Sequence, residues 1–155
     1  MDTTVLLALA LTCAPQVDPR TAQALVAVES SGNPYAIGVV GGVLLRQPQH
    51  QAEAIATAKA LQAAGWDFSL GLAQINVRNL RLLGLSVEQT FDPCTNLRAM
   101  QTLLGECLQR AQGAKREADQ LHLRRALSCY YSGNFTTGFE HGYVRRVALA
   151  AARAR

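Results

Sequence analysis

Four short segments of the 155-residue chain hold the side-chain types best suited to chemistry, each where a helix should end or begin. They are VESSGNP (28–34), SLGLAQIN (69–76), FDPCTNL (91–97) and CYYSGNF (129–135). The first places one carboxylate, Glu29, on the last turn of an apolar helical run and then stops in Ser-Ser-Gly-Asn-Pro. A helix C-terminus disfavours negative charge, and Val26 and Val28 strip water from a carboxyl set between them. Both effects raise its pKa, so Glu29 should keep a proton near neutrality and be able to act as a general acid. Each segment alone has a plainer meaning. Ser-Gly-Asn runs stop helices, Gly-Leu-Ala-Gln permits close helix packing, and Asp-Pro starts helices.

The elements that must position these residues follow from caps and periodicity. Residues 5–11, VLLALAL, read as a first amphipathic helix ending at Cys13-Ala-Pro, too short to span a bilayer. Asp18 caps a second helix with Pro19 at its first position, running to about Ser31. Residues 36–46, AIGVVGGVLLR, alternate β-branched residues around Gly-Gly and predict a small β-hairpin. Helices are expected over 49–64, near 76–83, from Asp92-Pro93 to about Ala111, over 121–131 and over 139–153, with a turn at Gly84 and a polar linker over 113–119. About seven helices around one hairpin make a single α+β domain over 1–155, predominantly α-helical.

Taken together, the order and spacing of the four segments resemble the lytic transglycosylases, relatives of goose-type lysozyme that cleave bacterial peptidoglycan. The matching residues are Glu29-Ser30, Gly71-Leu72-Ala73-Gln74-Ile75, and Tyr130 with Ser132-Gly133-Asn134. The likeness runs from about residue 12 to residue 148. The long stretch before Gly-Leu-Ala-Gln, with FDPCTNL, looks most like the members encoded with type IV secretion systems. The resemblance implies a lysozyme-like fold with Glu29 as the catalytic acid. It also implies substrate-binding roles for Ser30, Ser69, Gly71, Gln74, Tyr130 and Tyr143. Ser30 and Ser69 would bond the substrate or orient the acid, and Gln74 would bind N-acetyl or hydroxyl groups. Gly71 would leave room for a sugar ring, and Tyr130 would steady the carboxylate or the substrate amide. Two positions depart from the family pattern: Tyr131 stands where Asn is common, and Ala73 where Met is frequent.

Most glycosidases use two carboxylates, about 5 Å or 6.5–9.5 Å apart. Asp67, Asp92 and Glu140 are the candidates for a second, and none falls in a segment that the resemblance marks as catalytic. A one-acid reaction accounts for this. On the reaction that the resemblance implies, Glu29 would protonate the leaving oxygen, then take the proton of the C6 hydroxyl on the same muramic acid, whose oxygen would close a 1,6-anhydro ring. No cofactor and no metal are expected, since the three histidines and four cysteines lack zinc-ligand spacing. Two other functions compete: a non-catalytic peptidoglycan-binding assembly scaffold, and a hydrolytic lysozyme.

Composition bounds the rest. Fifteen basic against 11 acidic residues give a net charge of +4 and a pI near 9.1. That suits an anionic wall but is too mild and scattered to imply nucleic acid. Cys13, Cys94, Cys107 and Cys129 leave three disulfide connectivities open. Residue 94 opens one helix and residue 129 closes the next, so an antiparallel pair would join Cys94–Cys129 and leave Cys13–Cys107, stabilising the fold by roughly 3–5 kcal/mol each. The expected setting is the periplasm, with peptidoglycan strands and type IV secretion components as partners and no membrane span in this chain. The basic start of a signal peptide is missing, so an upstream signal is expected, and a C-terminal tail is possible.

Overall fold

Side-chain caps start most of the longer helices. In a computed structural model, which describes residues 1–113 and 119–154, the Asp2 carboxylate accepts from Thr4 and Val5 N–H and opens α1 (Thr3–Cys13). Asp18 does the same for α2 (Pro19–Ser30), with Pro19 in the first turn. Strand β1 (Ile37–Val39) leads through a loop to α3 (Gln51–Ala63). Then follow β2 (Phe68–Leu70), β3 (Ile75–Asn76), a 3₁₀ turn at Val77–Asn79, α4 (Leu80–Leu83) and α5 (Val87–Thr90). Asp92 caps the 20-residue α6 (Pro93–Gln112), and Asp119 caps α7 (Gln120–Ser132). Two further helices, α8 (Thr137–Glu140) and α9 (Tyr143–Arg153), are separated at Gly142 (φ +74°). The expected single helix over 139–153 is therefore two, because that left-handed residue cannot continue α8. Most of the linker expected over 113–119 lies outside the described residues.

Packing is mainly helix on helix. α6 lies along α7, α2 along α9, and α1 covers both α2 and α6. Leu25, Val26, Leu97 and Met100 are fully buried between them. Burying such side chains contributes roughly 1.5–3 kcal/mol each. The small sheet, order β1-β2-β3 and antiparallel throughout, packs Phe68 and Leu70 into the same core. The result is a predominantly helical α+β fold, as the periodicity implied.

The sheet is not built where the sequence placed it. No hairpin forms over 36–46. Strand β1 pairs instead with β2, Ile37 opposite Leu70 and Val39 opposite Phe68, and the close hairpin is β2–β3. The reason lies at Gln47. Its amide accepts from Ile37 N–H (2.9 Å) and donates to Ile37 C=O (3.0 Å), occupying the strand edge where a returning strand would pair. Val43 is left 93% exposed in the intervening loop.

The disulfides also differ from expectation. Cys13 is joined to Cys94, and Cys107 to Cys129, so the expected Cys94–Cys129 and Cys13–Cys107 pairs do not form. Helix lengths explain this. The 13 residues of α7 cannot run back along all 20 residues of α6. Cys129 therefore meets the C-terminal half of α6, and Cys94, about 20 Å away along the axis, meets the end of α1. With sequence separations of 81 and 22 residues, the chain-entropy model gives about 4.5 and about 3.4 kcal/mol. Urea unfolding of Cys13→Ser/Cys94→Ser should therefore show a larger loss of stability than Cys107→Ser/Cys129→Ser.

Candidate active site

Glu29 is the penultimate residue of α2, just before Ser31 turns left-handed (φ +52°) and ends the helix. Its side chain is half-buried where α2 packs on α9. The Tyr143 hydroxyl, at the start of α9, donates to Oε1 at 2.6 Å. Burial pushes the carboxyl pKa up from 4.5 to about 7, against the opposing pull of the Tyr143 hydrogen bond and the Arg146 charge. Tyr143 itself is 1% exposed, and burial with the neighbouring Glu29 charge drives its hydroxyl far above the ordinary tyrosine range. It is a fixed donor.

The second motif, Gly71 to Gln74, is tied in place by side chains, one of them from Ser30, the neighbour of this acid. Four successive carbonyls each accept one: Leu70 from Asn96 Nδ2 (2.9 Å), Gly71 from Gln74 Nε2 (3.0 Å), Leu72 from Ser30 Oγ (2.7 Å) and Ala73 from Tyr130 Oη (2.7 Å). Asn96 Oδ1 also accepts from Ala73 N–H at 2.8 Å. A loop so tied cannot drift relative to α2, α6 and α7. Burial, and then the Glu29 charge, raise the Tyr130 pKa well above its usual value, and its hydroxyl bonds Ala73. Steadying the carboxylate falls to Tyr143.

Gln74 adopts a left-handed backbone (φ +52°), rare for a residue with a side chain. Its amide donates to both Ala36 and Gly71 carbonyls, so both N–H groups are used. Only Oε1 is left to meet a ligand, and it lies over Gly38, where an added Cβ would sit 2.6 Å from it. Gly38→Ala should therefore displace the Gln74 amide and cost about 1–3 kcal/mol, measurable by thermal unfolding.

Other expected site residues take varied places. Gly71 (φ +76°) has Asn96 Nδ2 directly where a Cβ would be, so its missing side chain makes room for that amide. Ser69 stands on the same face of the sheet as Asn76, whose Nδ2 reaches Ser69 Oγ at 3.4 Å and Asp67 Oδ1 at 2.8 Å. Asp67 also faces Arg78 at 3.5 Å. Asp92 caps α6 through Thr95 N–H (2.8 Å), and Glu140 is exposed on α8. None of these three carboxylates is among the groups acting on Glu29. An open cleft of about 500 Å³ starts at Ser31, with Asn33, Tyr35 and Gln47 among its walls. Among the described residues no three His, Cys, Asp or Glu side chains cluster as metal ligands, and no helix is long and apolar enough to cross a membrane.

Two residues escaped the sequence reading. Asn96 is 1% exposed and joins β2, α5 and the motif loop through three hydrogen bonds. Its signal was a polar residue on the apolar face shared with Leu97, Met100 and Leu104. Arg146, one of the scattered basic residues, acts on Glu29 through its charge and lowers the carboxyl pKa.

The Transglycosylase SLT domain family matches residues 7–150. Over 150 residues the chain is 51% identical to the type IV secretion system protein virB1 of Brucella abortus, covering 94% of this chain and 63% of that protein. It is 41% identical to protein virB1 of Agrobacterium fabrum over 141 residues, 90% of this chain and 56% of that one. Protein virB1 of Rhizobium radiobacter is 38% identical over 141 residues, 90% and 57% respectively. The chain thus spans less than two thirds of the length of these curated relatives. No solved structure matches it.

Proposed function

The chain belongs to the Transglycosylase SLT domain family, and from that membership we propose that it is a peptidoglycan lytic transglycosylase with Glu29 as its only acid and base. One observation carries this reading: a half-buried carboxyl at a helix end, bonded by a buried tyrosine hydroxyl and poised to hold a proton near neutrality. Glu29 gives that proton to the glycosidic oxygen as the bond from C1 of N-acetylmuramic acid breaks. The substrate's N-acetyl group shields the cationic carbon. Glu29, now a carboxylate, takes the proton from the C6 hydroxyl of the same sugar, and O6 bonds to C1. The proton count returns to its start, and a 1,6-anhydro end replaces a hydrolysed one.

A group that must both give and recover a proton works best with its pKa near ambient pH. Tyr143 and Arg146 support the second half of the cycle. A hydrogen bond to an ionised carboxylate is stronger than one to the neutral acid, so Tyr143 steadies the anion formed midway. Gln74 Oε1 faces the sheet surface as an acceptor for a sugar hydroxyl or amide N–H, with Ser69 beside it. The whole is one lysozyme-like domain, acting in the periplasm on glycan strands to open the wall where a type IV secretion system is assembled. Two disulfides suit an oxidising compartment.

The test is mass spectrometry of soluble products from purified sacculi. Anhydromuropeptides are expected. Products with reducing muramic acid ends would make the protein a hydrolytic lysozyme, and binding to sacculi without any release would make it a scaffold.

A further inference from the structure

The departure at position 131 is explained by what its ring does. Tyr131 follows Tyr130 near the end of α7 and is 39% exposed. Its ring stacks on that of Tyr143, with centroids 4.6 Å apart and planes within 15°. Its hydroxyl lies 2.9 Å from His141 Nδ1, and the two rings meet edge to face at 5.7 Å. His141 in turn accepts Arg146 Nη1 on its backbone carbonyl (2.9 Å), and the Arg146 guanidinium lies 6.0 Å from the Tyr143 ring. Two side chains, Tyr131 and Arg146, thus lie against the ring whose hydroxyl bonds the acid, and His141 holds the first of them.

That ring needs bracing. Tyr143 is the first residue of α9, and the preceding Gly142 offers no side-chain cap to hold the helix start. Uncapped first turns fray, and a small swing of the ring would carry the hydroxyl out of reach of Glu29 Oε1. An asparagine at 131 has no ring to stack. We propose that Tyr131 is a positioning residue, clamping Tyr143 through the stack and the His141 tether so that its hydroxyl stays on Glu29. This rests on Glu29 being the acid, though the clamp itself is testable without substrate.

The probe is the Glu29 carboxyl, titrated by ¹³C NMR in wild type, Tyr131→Phe, Tyr131→Asn, Tyr143→Phe and the double variant Tyr131→Asn/Tyr143→Phe. The titratable and charged groups near it are the Arg146 guanidinium and the neutral Tyr143 hydroxyl on α9, and the neutral Tyr130 on α7. Loss of the Tyr143 bond destabilises the carboxylate, so in Tyr143→Phe the midpoint should rise by about one pH unit. Tyr131→Asn should reproduce most of that rise, and the double variant should titrate as Tyr143→Phe does, because both lose one interaction. Tyr131→Phe keeps the stack but loses the His141 tether, so its midpoint should lie between those of wild type and Tyr131→Asn. In turnover, Tyr131→Asn should lower kcat about tenfold with KM changed less than about twofold, and the basic limb of the pH profile should move up. If Tyr131→Asn does not fold, Tyr131→Leu makes the same comparison.

An unmoved midpoint in Tyr131→Asn, or a shift that adds to that of Tyr143→Phe, would overturn the clamp. So would a change confined to KM, which would make Tyr131 a sugar contact. Absence of anhydro products from wild type would overturn the enzymatic reading and leave the titration result standing.

Discussion

Replacing Glu29 with Gln is expected to reduce release of anhydromuropeptides by about 10³-fold or more, and to make the folded protein more stable above neutrality. The two effects share one cause. Well below pH 4.5 the carboxyl is neutral in folded and unfolded chains alike, and its environment imposes no ionisation penalty. As pH rises towards about 7, the unfolded chain ionises freely while the folded site retains its proton. Stability therefore falls through that window, by roughly 3 kcal/mol at most once both are charged. Gln keeps the shape and can still accept from Tyr143 Oη, but it cannot titrate. Melting curves at pH 5 and pH 8 should show Glu29→Gln gaining on wild type only at the higher pH. Full activity in the variant would remove Glu29 from the mechanism.

Asn96→Ala should be the most damaging single change away from the acid. Asn96 is buried and satisfies Ala73 N–H, Leu70 C=O and Thr90 C=O at 2.8–2.9 Å. Alanine leaves three backbone groups stranded, each costing about 1–3 kcal/mol, plus a small cavity beside Gly71. A loss of about 3–5 kcal/mol in urea unfolding is expected. Turnover should fall even below the denaturation midpoint, because the loop carrying Gln74 loses its anchor to α6. A loss under about 1 kcal/mol would show that the remaining ties from Ser30 and Tyr130 hold the loop unaided.

Local chemistry was legible in the residues. Asp18-Pro19 and Asp92-Pro93 predicted two helix starts correctly because capping needs only adjacent groups. Glu29 stood out because an acid on the last turn of an apolar helix is locally unfavourable. Long-range pairing was not legible. β1 finds its partner across α3, while Gln47, ten residues on, blocks the edge that a local hairpin would use. The cysteine pairing failed for a related reason: it depended on where α7 stops along α6, which no spacing within either helix reveals. The motif residues show a third limit. Ser30, Gln74 and Tyr130 are polar types suited to binding sugars, yet the structure aims their donors at Leu72, Ala36 with Gly71, and Ala73. Residue type says that a donor exists. Only the fold says where it points.

The most direct measurement is the titration of the Glu29 carboxyl itself, followed by ¹³C NMR in the folded, substrate-free protein between pH 3 and pH 9. A midpoint near 7 is the predicted result. A midpoint near 4.5 would mean a carboxylate already ionised at neutral pH, with no proton to give.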